Sequence, residues 1–151
     1  MNIDKNAEFI KYIRQCPLID RIYATFSQAE DETRSFVPLT TARFVKQFID
    51  GSMLKHYDFA IIAYNLANFN PVAIDTSLIS KNIVDLADLQ LIINWIETQN
   101  ENRNYPNFGD NCEIEAIYPM SSVPIIAGID GSGLAKYMIQ IRCEYIEKEN
   151  N

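Results

Sequence analysis

The chain has 151 residues, 48% of them hydrophobic, with eight Tyr and eight Phe. This length and composition predict a single globular domain over residues 1–151 and exclude a disordered or fibrous chain. The formal net charge of −7 and the pI near 4.6 argue against a protein that binds nucleic acid by neutralising phosphates, because that mode requires clustered Lys and Arg.

The cysteine pattern and the start of the chain indicate a cellular setting. Cys16, Cys112 and Cys143 are odd in number and contain no C-x-x-C pair, so neither a disulfide framework nor a zinc site is predicted. The first residues, MNIDKNAEFIKYI, lack the apolar core of a signal peptide, and no apolar run reaches the length of a membrane span. We therefore expect a soluble protein in a reducing cytoplasm, without membrane contact.

The first third of the chain alternates between helical and extended patterns. Residues 4–16 place apolar side chains on one side and predict a short helix that Pro17 ends. Residues 19–28 alternate as a strand, residues 28–35 form a polar acidic loop, and residues 36–41 resume extended structure. Pro38 lies within this last segment and suggests a sheet edge.

Residues 43–65 contain the clearest hairpin pattern, because two β-rich runs flank the pair Asp50-Gly51. A two-residue loop at this pair would place Lys46 directly opposite Lys55, which is a repulsive cross-strand arrangement. A three-residue loop avoids that repulsion. We therefore predict the longer loop.

In the favoured register, Gln47 lies opposite Lys55 and Phe48 lies opposite Leu54. The outgoing strand over residues 57–66 is apolar on both faces in its middle, so it is predicted to be central in the sheet.

Residues 82–109 contain the longest periodic segment, which predicts a central amphipathic helix. Ser80 or Asn82 is the predicted N-terminal cap, and the helix ends at residues 100–104, before Pro106. Residues 68–80 are then a connecting loop. The apolar stripe of this helix consists of Leu86, Leu89, Ile92, Ile93 and Ile96.

Leu91 and Trp95 form a second apolar patch beside that stripe. Such a patch indicates contact with a further element, either another helix or another subunit. The sequence leaves open whether the pair forms an interface or is buried under the first helix.

The C-terminal part predicts two strands and a long connection. Residues 112–118 alternate, with Ile114 on the face opposite Ile117. Residues 119–133 contain two Pro and three Gly and predict a mobile connection anchored by Ile125 and Ile126. Residues 134–147 alternate regularly as a strand, and the tail from about residue 148 is predicted to fray.

These elements together predict an α+β fold. We expect an antiparallel sheet of four or five strands, with two helices packed on one of its faces.

The residues with chemical potential favour structural interpretations. His56 and Asp58 share a strand face and could act as an acid/base pair, but no candidate nucleophile accompanies them. Cys143 alternates inward among apolar residues and indicates a buried small side chain.

Two further patterns fail the motifs that they resemble. The glycines within residues 128–133, followed by Lys136, lack Walker spacing and precede a strand. Residues 30–32 are three consecutive acids without the spaced ligands of a calcium loop. We therefore predict no enzyme, and no catalytic, cofactor-binding or metal site.

Three segments together resemble a known family: FIDGSMLKHYDFAI at residues 48–61, NWIETQNENRNYPNFGDNCEIEAI at residues 94–117, and LAKYMIQIRCEYIE at residues 134–147. They are similar to tail terminator or minor capsid proteins of the head-tail joining region in long-tailed bacteriophages and prophages of Gram-positive bacteria. The resemblance covers residues 8–147 with matching order and spacing.

This resemblance implies a structural protein with a fold similar to that of lambda-type tail terminators. Such proteins form a homo-hexameric ring that caps the tail tube and docks to the head connector. The implied partners are further copies of the chain, the tail tube protein and the head-tail connector protein, while DNA passes nearby without specific binding. The implied location is the virion tail or neck, with the bacterial host cytoplasm during assembly. The family has no catalytic residues to transfer.

Candidate assembly-interface residues are Leu91, Trp95, Ile125, Ile126 and Phe36. The long loops at residues 28–41 and 119–133 are expected to become ordered on assembly. Two alternatives stay open. One is another phage neck or head-completion protein, and the other is a small acidic inhibitor or immunity-type module that binds one basic partner as a monomer.

Overall fold

The computed structural model describes residues 3–17, 23–24, 33–39, 45–66, 76–121, 123–129 and 134–148. The architecture is α+β, as predicted. In chain order, the helices and strands are α1 (Lys5–Ile13), β1 (Tyr23–Ala24), β2 (Thr33–Pro38), β3 (Lys46–Gln47), β4 (Met53–Leu66), α2 (Thr76–Glu101), β5 (Cys112–Pro119), β6 (Ile125–Ile129) and β7 (Leu134–Glu147).

Two long antiparallel strands, β4 and β7, form the centre of the sheet. They pair along their whole length, from Met53 opposite Glu147 to Leu66 opposite Leu134. The main strand order is β1-β2-β4-β7-β5; β3 also pairs with β4, and β6 also pairs with β7. Each long strand therefore has two shorter strands along its outer side. All these pairings are antiparallel except β1 with β2, which is parallel.

Both helices contribute to one apolar core on a single face of the sheet, which we call the inner face. Phe9 of α1 and Ile93 of α2 are fully buried, together with the sheet residues Phe59, Ile61 and Ile141. Alternation along β7 was predicted correctly. Its buried inner-face residues are Tyr137, Ile139, Ile141, Cys143 and Tyr145.

Helix α1 begins at a defined N-terminal cap. The side chain of Asp4 accepts hydrogen bonds from the backbone N–H groups of Asn6 and Ala7, at 3.0 and 3.2 Å. This satisfies two amide groups that lack partners within the helix. The first turn is thereby fixed so that Phe9 packs on Phe59, with their ring centroids 4.6 Å apart.

The hairpin between β3 and β4 has the predicted three-residue loop, but the predicted register was wrong. Phe48 N donates to Ser52 O at 2.8 Å, so the loop contains Ile49, Asp50 and Gly51. Lys46 pairs with Leu54 and Gln47 with Met53. The cause is the position of Gly51, whose φ of 90° places the left-handed residue at the end of the loop rather than at its centre.

The N-terminal boundary of α2 was also predicted wrongly. The helix begins at Thr76, so Ser80 and Asn82 lie within it and neither is its cap. The predicted loop over residues 68–80 is therefore helical in its last part, and residues 67–75 lie outside the described residues. The helix ends at Glu101, within the predicted range.

A β-bulge in β5 reverses the alternation predicted there. Ile114 pairs with Tyr145 and Ala116 pairs with Glu144, so Glu115 is the extra residue. A bulge shifts the side-chain phase by one. Ile114 and Ile117, which were predicted on opposite faces, are consequently both buried.

Two predicted loops contain strands. Strand β6 lies within the segment predicted as a mobile connection, and it pairs with β7 from Ile125 to Ile129. Strand β2 begins at Thr33, before the predicted extended segment. Strand β1 pairs only with Ser35 and Phe36 of β2, so among the described residues Pro38 has a neighbouring strand, β4, on one side alone, as expected at a sheet edge. Most of the predicted strand at residues 19–28 and the tail after residue 148 lie outside the described residues.

Candidate functional site

The face of the sheet opposite the helices, which we call the outer face, contains a group of polar side chains near its centre. This polar cluster consists of His56, Asp58, Tyr118, Arg142 and Glu144. The strand register brings them together, because His56 lies opposite Glu144, and Asp58 lies opposite Arg142, which in turn lies opposite Tyr118. The cluster therefore spans β4, β7 and β5.

Asp58 and Arg142 form a two-pronged ion pair within this cluster. Arg142 Nε donates to Asp58 Oδ1 at 2.9 Å, and Arg142 Nη2 donates to Asp58 Oδ2 at 3.0 Å. Asp58 is only 7% exposed, so its carboxylate needs this partner to offset desolvation. The hydrogen bond to Asp58 raises the pKa of Arg142, which keeps the guanidinium charged.

His56, Glu144 and Tyr118 form a second group beside that pair. His56 Nε2 lies 3.2 Å from Glu144 Oε1, and Tyr118 Oη donates to the same oxygen at 2.9 Å. Partial burial and then the hydrogen bond to Glu144 raise the pKa of Tyr118, which therefore acts as a donor at neutral pH.

The geometry of the polar cluster favours a bracing role. His56 and Asp58, the acid/base pair considered from the sequence, each contact an ionisable side chain of β7. Charged pairs directly opposite each other on neighbouring strands stabilise the register of a sheet. The cluster can hold β4, β7 and β5 in one alignment. That the chain is not an enzyme stays a prediction from the sequence.

The other residues considered as a nucleophile, as metal ligands or as a phosphate-binding loop were the cysteines, the acidic run and the glycine-rich segment. Cys143 is fully buried, and burial raises the pKa of its thiol, which disfavours the nucleophilic thiolate. Cys16 is also buried. Within the described ranges, no three His, Cys, Asp or Glu side chains are grouped as metal ligands. The acidic run at residues 30–32 and the glycines at 131 and 133 lie outside those ranges.

The predicted interface residues occupy different environments. Leu91 is 48% exposed on α2, whereas Trp95 is half-buried and packs against Tyr12, with 5.4 Å between ring centroids. Phe36 is fully buried in the core, where its ring lies 4.8 Å from that of Phe59.

Ile125 and Ile126 lie in β6, where their backbones pair with β7. Of the five predicted interface residues, Leu91 is therefore the one whose side chain is shown to be exposed. The sequence left open whether Trp95 is buried under the first helix, and its contact with Tyr12 places part of the ring there.

Sequence reasoning did not single out four other exposed apolar side chains. These are Val45 at 50%, Ile49 at 109%, Met120 at 43% and Val123 at 55% exposure. Ile49 could have been found, because an apolar residue in a three-residue hairpin loop has no neighbouring strand to cover it. The others required the strand order.

No helix in the described part of the chain combines the length and the hydropathy needed to cross a bilayer.

No family model matches this sequence, and no curated protein is detectably similar to it. The resemblance to phage tail terminators therefore stays a prediction from the sequence.

Proposed function

We propose that the chain is a structural subunit of the head-tail joining region of a long-tailed bacteriophage or prophage. In this role it acts as a tail terminator, a ring that caps the tail tube and docks to the head connector. The supporting observation is that the three segments with the family resemblance adjoin in the fold. Residues 48–61 contain the loop of the β3–β4 hairpin and much of β4. Residues 94–117 contain the end of α2 and most of β5, and residues 134–147 form β7.

The adjacency of these segments matters because they are distant in sequence. Strand β7 pairs with β4 on one side and with β5 on the other, and α2 packs over them through Ile93 and Ile96. The three segments therefore belong to one packed unit, as expected if they act together in assembly. The segments together make up most of the sheet.

The charge distribution of the polar cluster is consistent with a structural role. The charges of Asp58 and Arg142 are paired with each other across the sheet, so they compensate each other within the subunit. The net charge of −7 would leave a ring of such subunits acidic. An acidic lumen would repel passing DNA rather than bind it.

The proposal is tested by mixing the purified protein with a tail tube protein from the same phage or prophage genome. We expect rings on tube ends in negative-stain micrographs, hexamers by native mass spectrometry, and tubes that stop growing. His56→Gln is the matched variant, since it alters the polar cluster but should preserve capping. Tubes that elongate unchanged, with no bound protein at any ratio, would contradict the proposal.

A second candidate is favoured by the acidic charge alone. A small acidic inhibitor or immunity-type module would bind one basic enzyme as a monomer, by charge complementarity. The two functions differ in stoichiometry. A one-to-one complex with an enzyme, and no association with tube ends, would favour this candidate, as would loss of the enzyme's activity in the complex.

A further inference from the structure

We propose that copies of this chain associate head to tail through the two lateral edges of the sheet. The β3 edge of one copy would lie against the β5 edge of the next. This inference rests on the proposed ring assembly and specifies which surfaces form the contact between subunits. The occupant of each edge is therefore a second copy of the chain.

The sheet has two unpaired lateral edges at the hairpin end of β4. Strand β3 pairs with β4 on one side, and strand β5 pairs with β7 on the other. Among the described residues, no strand pairs with the outer side of β3 or of β5. Unpaired backbone groups at an edge can template pairing with another chain.

The two edges carry opposite charges in the same cross-strand row. Lys46 lies opposite Leu54, Leu54 lies opposite Ile146, and Ile146 lies opposite Glu113. Lys46 and Glu113 are both exposed, and they lie on the same face of the sheet, because directly paired residues on neighbouring strands project to the same side. They are separated by three strand spacings, or about 14 Å.

A second copy displaced sideways by one sheet width would bring these charges together. Its β3 would run antiparallel to β5, because β3, β4, β7 and β5 alternate in direction. Its Lys46 would then continue the row that ends at Glu113, with no change of register. Opposite charges in directly facing positions stabilise antiparallel pairs.

The same charges disfavour the contact between two identical edges. Two β5 edges would place the exposed Glu113 and Glu115 of one copy against those of another, and two β3 edges would oppose Lys46 with Lys46. Like charges directly opposite each other are destabilising. The bulge at Glu115 further limits indiscriminate edge pairing. A contact between two different surfaces is what rings require, since identical surfaces give only two-fold dimers.

Exposed apolar side chains accompany both edges. Val45 precedes β3, its N–H donating to Leu54 O, and Ile49 lies at the tip of the same hairpin. Met120 follows β5, where its N–H donates to Gln140 O, and Val123 comes three residues later. Each proposed surface thus combines charge with apolar groups that a neighbouring copy would remove from water.

Charge reversal tests the inference directly. Self-association is measured by sedimentation velocity and native mass spectrometry for wild type, Lys46→Glu, Glu113→Lys and the double variant. Each single variant should weaken association about five-fold or more. The double variant should recover most of the loss, because every contact then contains the swapped pair.

Matched controls separate the local contact from the change in net charge. Lys11→Glu on α1 changes the charge as Lys46→Glu does, and Glu97→Lys on α2 changes it as Glu113→Lys does; both control positions are exposed. The controls should associate as wild type does. Circular dichroism establishes that each variant is folded.

The outcomes distinguish this inference from the proposed function. If wild type forms rings and the edge variants form them equally well, or if the double variant does not recover, the edge contact is overturned while the tail terminator role stands. A dissociation constant above about 1 mM for self-association of the wild type would also overturn the edge contact. Capping of tube ends by that same protein would still support the proposed function.

Discussion

At the scale of single residues, the ion pair between Asp58 and Arg142 is the clearest stabilising contact on the outer face. Asp58 is 7% exposed and receives two hydrogen bonds from one guanidinium group. Removing one partner of such a pair leaves a desolvated charge without compensation, which costs more than the pair contributes when intact.

We therefore expect Arg142→Met to lower the free energy of unfolding by about 2 kcal/mol. Urea denaturation monitored by circular dichroism measures the change. The double variant Asp58→Leu/Arg142→Met should recover most of the loss, because no unpaired charge remains. Lys55→Met, which removes the more exposed pair with Glu147, should cost less than about 1 kcal/mol. Equal losses for both single variants would contradict this ranking.

Unlike Asp58 and Arg142, Tyr12 has a polar group without a partner. Its hydroxyl is buried and has no hydrogen-bond partner among the described residues. Its ring packs well, with centroids 5.8 Å from Phe9 and 5.4 Å from Trp95. We expect Tyr12→Phe to raise the free energy of unfolding by about 1 kcal/mol, because it removes an unsatisfied polar group and keeps the ring. A loss of stability on urea denaturation would show that the hydroxyl has a partner.

The same tyrosine contributes to alkaline unfolding. Burial raises the pKa of Tyr12, Tyr57 and Tyr145 above the ordinary value of 10.0. A raised folded-state pKa gives stability that is full below the unfolded pKa and is lost as pH rises towards the folded pKa. Stability should therefore begin to fall as the pH rises past about 10, and the fall should continue above about pH 11. Tyr12→Phe should show a shallower fall in the same denaturation series.

At the scale of elements, the β3–β4 hairpin depends on its loop more than on its short first strand. Gly51 has a φ of 90°. Asp50 Oδ1 accepts hydrogen bonds from Ser52 N at 3.0 Å and Ser52 Oγ at 2.6 Å, which also hold the pKa of Asp50 below its usual value. The loop thus presents Ile49 in a fixed orientation.

Gly51→Ala should destabilise the protein by about 1 kcal/mol or more, because a Cβ is strained at positive φ. Ile49→Ala, two positions earlier, should leave the stability of the monomer unchanged, since its side chain is fully exposed. Thermal denaturation of both variants gives the comparison. If Ile49→Ala were as damaging as Gly51→Ala, the loop would not have the conformation described.

The helices and strands were predicted from sequence patterns with mixed success. The position and inner face of β7 were predicted because alternation there is uninterrupted. The start of α2 was missed because Thr76 to Ser80 contains β-branched and polar residues with weak helical periodicity. The prediction of which β5 residues lie on the inner face was partly wrong. The bulge at Glu115 depends on pairing with β7, and a local sequence pattern does not reveal that pairing.

The candidate functional site could likewise be predicted from the sequence only in part. Spacing placed His56 and Asp58 on one strand face, but their partners Arg142 and Glu144 lie about 84 to 88 positions away and follow only from the strand register. The cross-strand row from Lys46 to Glu113 also follows only from the strand register. It requires three successive pairings.

At the scale of the whole molecule, the fold depends on contacts between distant parts of the chain. The two central strands, β4 and β7, pair along 14 residues each, and residues 67–133 separate them in sequence. Long-range pairing of this kind slows folding, because the loop must close before the contacts form.

Truncation after residue 133 should therefore abolish the fold, because it leaves β4 and β5 without the strand between them. Near-ultraviolet circular dichroism and protease resistance would both be lost. Truncation after Lys148 is the control and should preserve both signals, since β7 ends at Glu147. A folded, protease-resistant product from the shorter chain would show that β4 has another partner.

The central place of β7 also has a consequence for quality control during protein synthesis. A chain interrupted anywhere between β4 and β7 lacks the strand that lies between β4 and β5 and so connects the β3 edge to the β5 edge. Such a fragment would not present the two edges proposed to bind neighbouring copies at the spacing that they have in the complete fold. If the chain forms the proposed ring, we expect such fragments to be excluded from it and left to degradation.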